Sequence, residues 1–491
     1  MTASGRSSGR RTVPAANPIA TLLFVAAFPA VVLFGIWQFA SSRNDSSPPA
    51  PDAVAELPAT TPATPVLSMR RTPAVLARET SSTAFEGALR PLGGAVLPGS
   101  CAAVSVDGVL ALSDGIDTPV IPASTLKVVV AAVALDVLGP DHVFTTEVRA
   151  EIVNGAVGSV YLVGGGDPML AADWYPDDQS LNRYPQQPAT SLDSLVGSVL
   201  AAGVTTIGGN IVADATRYDA ELYPPGWAIP LRATEGGPIS ALLVNDSTVI
   251  GGERRTTDPA LGGAEEFRRI LVERGVTVVG QVTSGQTPAG LPVVATISSA
   301  PLSAIVAEML TNSDNNTAEM LLKEVGFVGR QAGSRSAGIS VMVERLAAWG
   351  VPTDGLSITD GSGLSRDNAM SCATLLAVLE RHQPGDVLVS GMSVAATTGT
   401  LSSEFGDTPL AGRLVGKTGT LNDVKALAGY VPVEGGATIR FVVVSNIDGA
   451  DEVPAYRSLW YDQLAPALAS YPAGPTTDLL VPRPAIATDI A

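Results

Sequence analysis

With 491 residues, 46% apolar content, 50 Gly and 37 Pro, the chain has material for two or three folded units plus linker and is not composed like a disordered protein. A formal charge of −17 and the lack of any Lys/Arg cluster exclude a nucleic-acid partner, whose phosphates require such clusters. The two histidines, His142 and His382, and two cysteines, Cys101 and Cys372, are too few for a Ser-His-Asp triad, a His- or Cys-based metal site or a CxxC redox pair, so no metal or cofactor is expected.

The run PIATLLFVAAFPAVVLFGIWQF, from Pro18 to Phe39, carries no charge and is long enough to cross the hydrocarbon core once. Arg6, Arg10 and Arg11 precede it, so the positive-inside rule places residues 1–17 in the cytoplasm, 18–40 in the membrane and the rest outside. A cleaved signal peptide is the competing reading, but the run is long for one and the exit QFASS lacks a small-x-small cleavage pattern. In an extracytoplasmic body, Cys101 and Cys372 could form one disulfide. Residues 41–78, rich in Pro, Ala, Thr and Ser, read as a stiff tether, and 472–491 as a Pro-rich tail.

Folded sequence is expected from near Ala84. SCAAVSVDGVLAL reads as strands around an Asp107-Gly108 turn, and IPASTLKVVVAAVALDVLG as a buried helix ending at Gly139. From about 147 to 299 the texture is of short strands between Gly-containing turns, with one helix in SLDSLVGSVLAAG. Helices return in PLSAIVAEMLTNSDNNTAEMLLKEVG and SRSAGISVMVERLAAWG. ALAGYVPV and ATIRFVVVSN then form an antiparallel hairpin, covered by the amphipathic SLWYDQLAPALASY.

Three short elements carry the chemistry. Ser124 and Lys127 lie three residues apart at the start of the buried helix, where they share a face. The apolar run after Lys127 desolvates its amine, and a neutral Lys amine can take the proton of a serine hydroxyl. Taken alone, Ser124 could be a helix cap and Lys127 a snorkelling side chain. Ser313-Asp314-Asn315 interrupts two helices and offers a second hydroxyl to relay a proton and an amide to hold a carbonyl; it could also be an inter-helix cap. In Lys417-Thr418-Gly419-Thr420 the Lys and Thr can bind a carboxylate and Gly419 permits close backbone approach; a strand end is the alternative. The chain has just four lysines, Lys127, Lys323, Lys417 and Lys425, and two of them fall in these elements.

In this order the three elements resemble the Ser-x-x-Lys, Ser-Asp-Asn and Lys-Thr-Gly set of penicillin-binding proteins and serine β-lactamases. Lys127 and Ser313 are 186 positions apart, too far for a compact β-lactamase. Together with LVGGGDPML, GGNIVAD, GPISALLVND, DGSGLSRDN and KTGTLNDVKALAGYV, they make residues 84 to 470 similar to the D-alanyl-D-alanine carboxypeptidases and endopeptidases of the DacB type, the low-molecular-weight class C penicillin-binding proteins of peptidase family S13.

That resemblance implies an α/β (α+β) fold. A transpeptidase-like domain, a five-stranded antiparallel sheet flanked by helices, would form from 79–150 and 300–471, with 151–299 as an inserted, mainly β accessory region. It further implies a serine-type hydrolase acting through an acyl-enzyme on peptidoglycan stem peptides ending in D-Ala-D-Ala, with β-lactams as covalent inhibitors.

By the same resemblance Ser124 is the nucleophile and Lys127 its base. Ser313 and Asn315 assist proton transfer and positioning, and Lys417, Thr418 and Thr420 bind the terminal carboxylate. The N–H groups of Ser124 and Thr420 form the oxyanion hole. Asp214 receives the free amino end of the stem, and Leu364, Arg366 and Leu421 line that side of the pocket. In AATTGTLSSEF the family pattern leads one to expect an Asp before GTL, where Thr398 stands.

Two other functions are weighed against this. A β-lactamase needs a deacylating carboxylate near the first element, and none is evident. A catalytically idle wall-binding scaffold predicts a broken element, and none is broken.

Overall fold

The computed structural model describes residues 33, 34, 38, 72–175, 188–249, 255–472 and 474. Nearly all of the segment read as a membrane anchor therefore lies outside the described residues, as does nearly all of the tail. Among the described residues no helix is long and apolar enough to cross a membrane.

Strands of alternating apolar residues build the main sheet. In strand Thr438–Asn446, Val442 and Val444 face one way while Phe441 and Val443 face the other, and both sets are buried. A strand apolar on both faces belongs at the centre of a covered sheet. It pairs antiparallel with Val424–Pro432 on one side and Cys101–Val106 on the other. Val415–Leu421 lies outside Val424–Pro432, and Val109–Asp114 outside Cys101–Val106. The two-residue strand Ser393–Val394 completes six strands, where five were expected.

One face of the sheet packs on helices Leu126–Leu138, Leu302–Asn312, Asn315–Arg330, Arg335–Ala348 and Cys372–Glu380. The first of these has no polar stripe, and its residues 126–134 are all buried, so it forms the centre of this layer. The opposite face is covered by helix Thr72–Gly94, through Phe85, Leu89 and Leu92, and by the helical run from Val453 to Ala469, through Tyr456, Trp460, Leu464 and Leu468. Helix Thr72–Gly94 crosses the boundary drawn at residue 78, so the tether gives way to folded chain earlier than its composition suggests.

Cys101 and Cys372 form a disulfide that ties a central strand to the helix beneath it across 271 residues of sequence. A loop this long removes much freedom from the unfolded chain. The double substitution C101S/C372S is expected to cost about 2–5 kcal/mol, read as a lowered urea midpoint; an unchanged midpoint would show that packing alone secures the contact.

The inserted region is α/β, which corrects the mainly β expectation. Its larger sheet runs in the order Val282–Ser284, Ile211–Asp214, Val160–Val163, Thr145–Arg149, Val293–Ser298. The first three strands are mutually parallel. Parallel neighbours need long crossovers, usually helices. Here those are Leu192–Ala201 and Pro259–Glu273. The second was not expected from sequence; Asp258 caps it, Pro259 is its first residue, and Ala260, Ala264, Phe267 and Leu271 recur on one face. Gly262 and Gly263 lie inside this helix. In the fold both glycines pass close to other side chains, Gly263 to Val244 and Gly262 to Thr256.

Candidate active site

Ser124 lies in a single 3-10 turn, Ala123–Thr125, directly before the buried helix. Ala123 has φ 46°, a left-handed conformation that costs free energy unless neighbours enforce it. Two glycines make room around the turn. A Cβ on Gly363 would collide with the Ala123 carbonyl, and one on Gly419 would come within 2.9 Å of Pro122 O and 3.1 Å of Ala123 Cβ. Gly419 therefore lets its strand lie against the turn bearing Ser124.

Lys127 is fully buried, and its Nζ has three partners: Ser124 Oγ at 2.9 Å, Asn315 Oδ1 at 2.6 Å and the Ser362 carbonyl at 2.6 Å. The last two can only accept. The Asn315 amide is fixed in this sense because its Nδ2 donates to the Glu235 carbonyl at 2.6 Å. A neutral amine has two N–H donors and one lone pair, so once Asn315 and Ser362 take the donors the lone pair is left for the Ser124 hydroxyl. Burial lowers the Lys127 amine to about 8, against the opposing charges of Asp360, Asp314, Glu319 and Glu235.

The carbonyl of Ser362 is held by a rigid loop, DGSGLSRDN. Asp360 accepts from Gly363 N and Asn368 Nδ2 on one oxygen and from Ser365 N and Trp227 Nε1 on the other. Glu319 accepts from the N–H groups of Gly361 and Ser362. Burial, then the neighbouring Asp360, pushes the Glu319 carboxyl up to about 7.

Ser313 caps the end of helix Leu302–Asn312 with φ 63°, while Asp314 caps the start of the next helix through Thr317 N. The sharp reversal delivers Asn315 to Lys127. Ser313 Oγ is not among the partners of the amine. Asn316, the next residue, donates to Asp246 and accepts from Gly237 N, so the inserted region grips this element at several points.

Lys417 is buried on strand Val415–Leu421, and its Nζ donates to the Thr418 carbonyl at 2.9 Å. Burial, reinforced by the nearby Lys127, lowers it well below the ordinary lysine range. Among the described residues no carboxylate pairs with it. Thr418 Oγ1 donates to Thr400 Oγ1 at 2.8 Å, and Thr398, standing where an Asp was expected, accepts from Val394 N. The neighbouring strand Ser393–Val394 reaches only Val415 and Gly416, so Lys417–Leu421 keep an unpaired strand edge among the described residues.

The pocket-wall residues divide. Leu364 is buried in the Asp360 loop; Arg366 is exposed and donates to the Asn422 carbonyl at 2.6 Å, tying that loop to the turn after Leu421. Asp214 ends a strand of the inserted sheet and accepts from Thr216 N, Thr216 Oγ1 and Thr287 N. Burial would raise its carboxyl, but the bonds from Thr287 and Thr216 outweigh that and hold it below the ordinary range. Its hydrogen bonds thus hold a turn and do not connect it to Ser124 or Lys417. Thr216 also lines a cavity of about 480 Å³ with Glu147, Arg217 and Phe327.

Sequence reasoning missed Asp360, the Ser362 and Glu235 carbonyls and Thr400. Carbonyl ligands leave no mark on residue type. The density of Asp, Asn, Ser and Gly in 360–368 was the available signal for a self-bonded loop.

The profile of the D-Ala-D-Ala carboxypeptidase 3 (S13) family matches residues 97–252 and 239–460. A D-alanyl-D-alanine carboxypeptidase of Actinomadura is 30% identical over 411 residues, covering 66% of this chain and 73% of that one. A carboxypeptidase of Mycobacterium tuberculosis is 31% identical, covering 68% of this chain and 72% of its own. In fold, the chain is similar to penicillin-binding protein 4 of Haemophilus influenzae, with TM-score 0.63 and 22% identity over 76% of this chain and 98% of that one.

Proposed function

Because the chain belongs to peptidase family S13, that of the D-Ala-D-Ala carboxypeptidases, we propose that Ser124 is its acylated nucleophile and Lys127 the base. The chain is a serine-type D-Ala-D-Ala carboxypeptidase acting on peptidoglycan stem peptides. The observation that carries the residue assignment is the lone-pair geometry at Lys127, which leaves the amine only the Ser124 proton to accept.

In this reading Ser124 Oγ attacks the carbonyl between the two D-Ala residues and its proton passes to Lys127. The oxyanion is met by the N–H groups of Ser124 and Thr420, a pairing supported by the close approach of Gly419 to Pro122 and Ala123, which lays the two segments against each other. Collapse expels D-alanine, which takes up a proton held at Lys127 or relayed by Ser313. Water then releases the shortened peptide from Ser124.

The substrate backbone lies along the unpaired edge of Lys417–Leu421. Its terminal carboxylate meets Thr418, Thr420 and Lys417, and that negative charge restores the ammonium form of Lys417 that burial disfavours. The free amino end of a stem is drawn toward the negative charge of Asp214, with Leu364, Arg366 and Leu421 bounding that side.

A penicillin is expected to acylate Ser124 through its strained amide, and residues 18–40 to keep the protein in the membrane with the catalytic body outside. One experiment covers both. A fluorescent penicillin should mark a full-length band in the membrane fraction, and S124A should abolish it. A label surviving S124A would overturn the nucleophile, and a shortened soluble band would overturn the anchor.

A further inference from the structure

We infer that Lys425 is a positioning residue for the substrate's terminal carboxylate, its ammonium fixing the Thr420 hydroxyl as a donor toward that group. This rests on the carboxylate assignment above.

The chain has 30 basic residues and only four lysines, so the surroundings of each can be compared. Lys127 and Lys417 belong to the site. Lys323 is paired with Asp219 at 2.6 Å, where it ties a helix to the inserted region. Lys425 has no such ion pair among the described residues. It lies directly opposite Thr420 in the antiparallel pair and donates from Nζ to Thr420 Oγ1 at 3.1 Å.

Two aromatic rings hold the ammonium in place. Nζ is 4.0 Å from the centre of the Tyr456 ring and 5.1 Å from that of Trp460. The rings pack edge to face, Trp460 is buried, and the Tyr456 hydroxyl is anchored on Glu404. Trp460 sits in a π-helical stretch, Ser458–Leu464, a wide turn frequent at functional sites.

The consequence for Thr420 follows from donor chemistry. An ammonium has no acceptor, so the hydroxyl oxygen must accept, and its own O–H remains to be given elsewhere. A hydroxyl that accepts from a cation is also a stronger donor. Thr420 is exposed on the unpaired strand edge, three residues past Lys417, where a carboxylate would arrive. The Lys425 ammonium thus meets the Thr420 hydroxyl oxygen as a compact point charge beside the two rings.

The test compares a peptide ending in D-Ala-D-Ala with the same peptide amidated at its C-terminus. K425M is expected to lower kcat/KM on the acid about ten-fold, mainly through KM, and to leave the amide rate unchanged, so that the acid-to-amide ratio falls by the same factor. Both native cysteines are in the disulfide, so a Lys425→Cys variant can be alkylated selectively. Treatment with 2-bromoethylamine rebuilds the ammonium and should restore the ratio, whereas iodoacetamide should not. An unchanged ratio in K425M, or no recovery on aminoethylation, overturns the inference. If K425M fails to fold, the two alkylated forms of the Lys425→Cys variant are compared directly, and equal acid-to-amide ratios in the aminoethylated and carboxamidomethylated proteins overturn the inference. Failure of the wild type to release D-alanine or to label at Ser124 would instead overturn the proposed function.

Discussion

Replacing Lys127 with Met is expected to slow acylation of Ser124 by roughly 10²- to 10⁴-fold, the usual contribution of a positioned general base. The change removes the group whose lone pair faces Ser124 Oγ at 2.9 Å and fills nearly the same space with an apolar chain. It also leaves Asn315 Oδ1 and the Ser362 carbonyl without their donor, which costs about 1–3 kcal/mol. A folded protein should survive this, and a melting curve separates lost chemistry from lost structure.

The pH profile is the sharper readout. The base is the neutral amine, and burial has lowered it to about 8. Acylation by the wild type should therefore rise with pH and level off above about 8, since the ammonium present below that value has no lone pair to offer. K127M should show a flat residual rate over the same range. Penicillin acylation followed by stopped-flow from pH 6 to 10 measures both, and a wild-type rate with no rise toward 8, or a K127M rate near the wild-type one, would remove Lys127 from its role.

The parts of this arrangement that sequence disclosed were those written in side-chain type. Ser124 and Lys127 were legible because an all-apolar helix follows them, and the terminal hairpin because its strands alternate around a Gly-rich turn. The inserted region was misread because its parallel strands are only two to four residues long and helix Pro259–Glu273 was not expected. Parallel pairing is set by what the crossover helices bury, and no local pattern records it. The sixth strand of the main sheet, two residues long, has no periodicity to detect. The amine's other partners were hidden for a different reason. Backbone carbonyls of Ser362 and Glu235 do part of the orienting, and any residue supplies a carbonyl. What such a carbonyl needs is a backbone that cannot move, and the signature of that lies in the residues that bind the loop to itself.

Asp360 is the residue on which that rigidity depends, and D360A is expected to destabilise the fold by about 3–5 kcal/mol, as removal of one member of a buried charged network does. Its two oxygens satisfy four buried donors: Gly363 N, Asn368 Nδ2, Ser365 N and Trp227 Nε1. Alanine leaves all four unmatched and frees the Ser362 carbonyl from its place on Lys127. Asparagine keeps the shape but turns an NH₂ toward two of those donors, so D360N should cost less than D360A and still more than an exposed substitution.

D360N also bears on the chemistry. Asp360 is the largest of the charges that raise the Lys127 amine against burial, so removing it should lower that amine further. The acylation profile of D360N should then reach its plateau at a pH below about 8, even as the maximal rate falls with the loosened loop. Urea unfolding of D360A and D360N, with penicillin acylation against pH for D360N, reads the two effects separately. A D360A midpoint equal to the wild type would show that the loop holds without its central carboxylate. An unshifted D360N profile would show that the amine near Ser124 does not sense it.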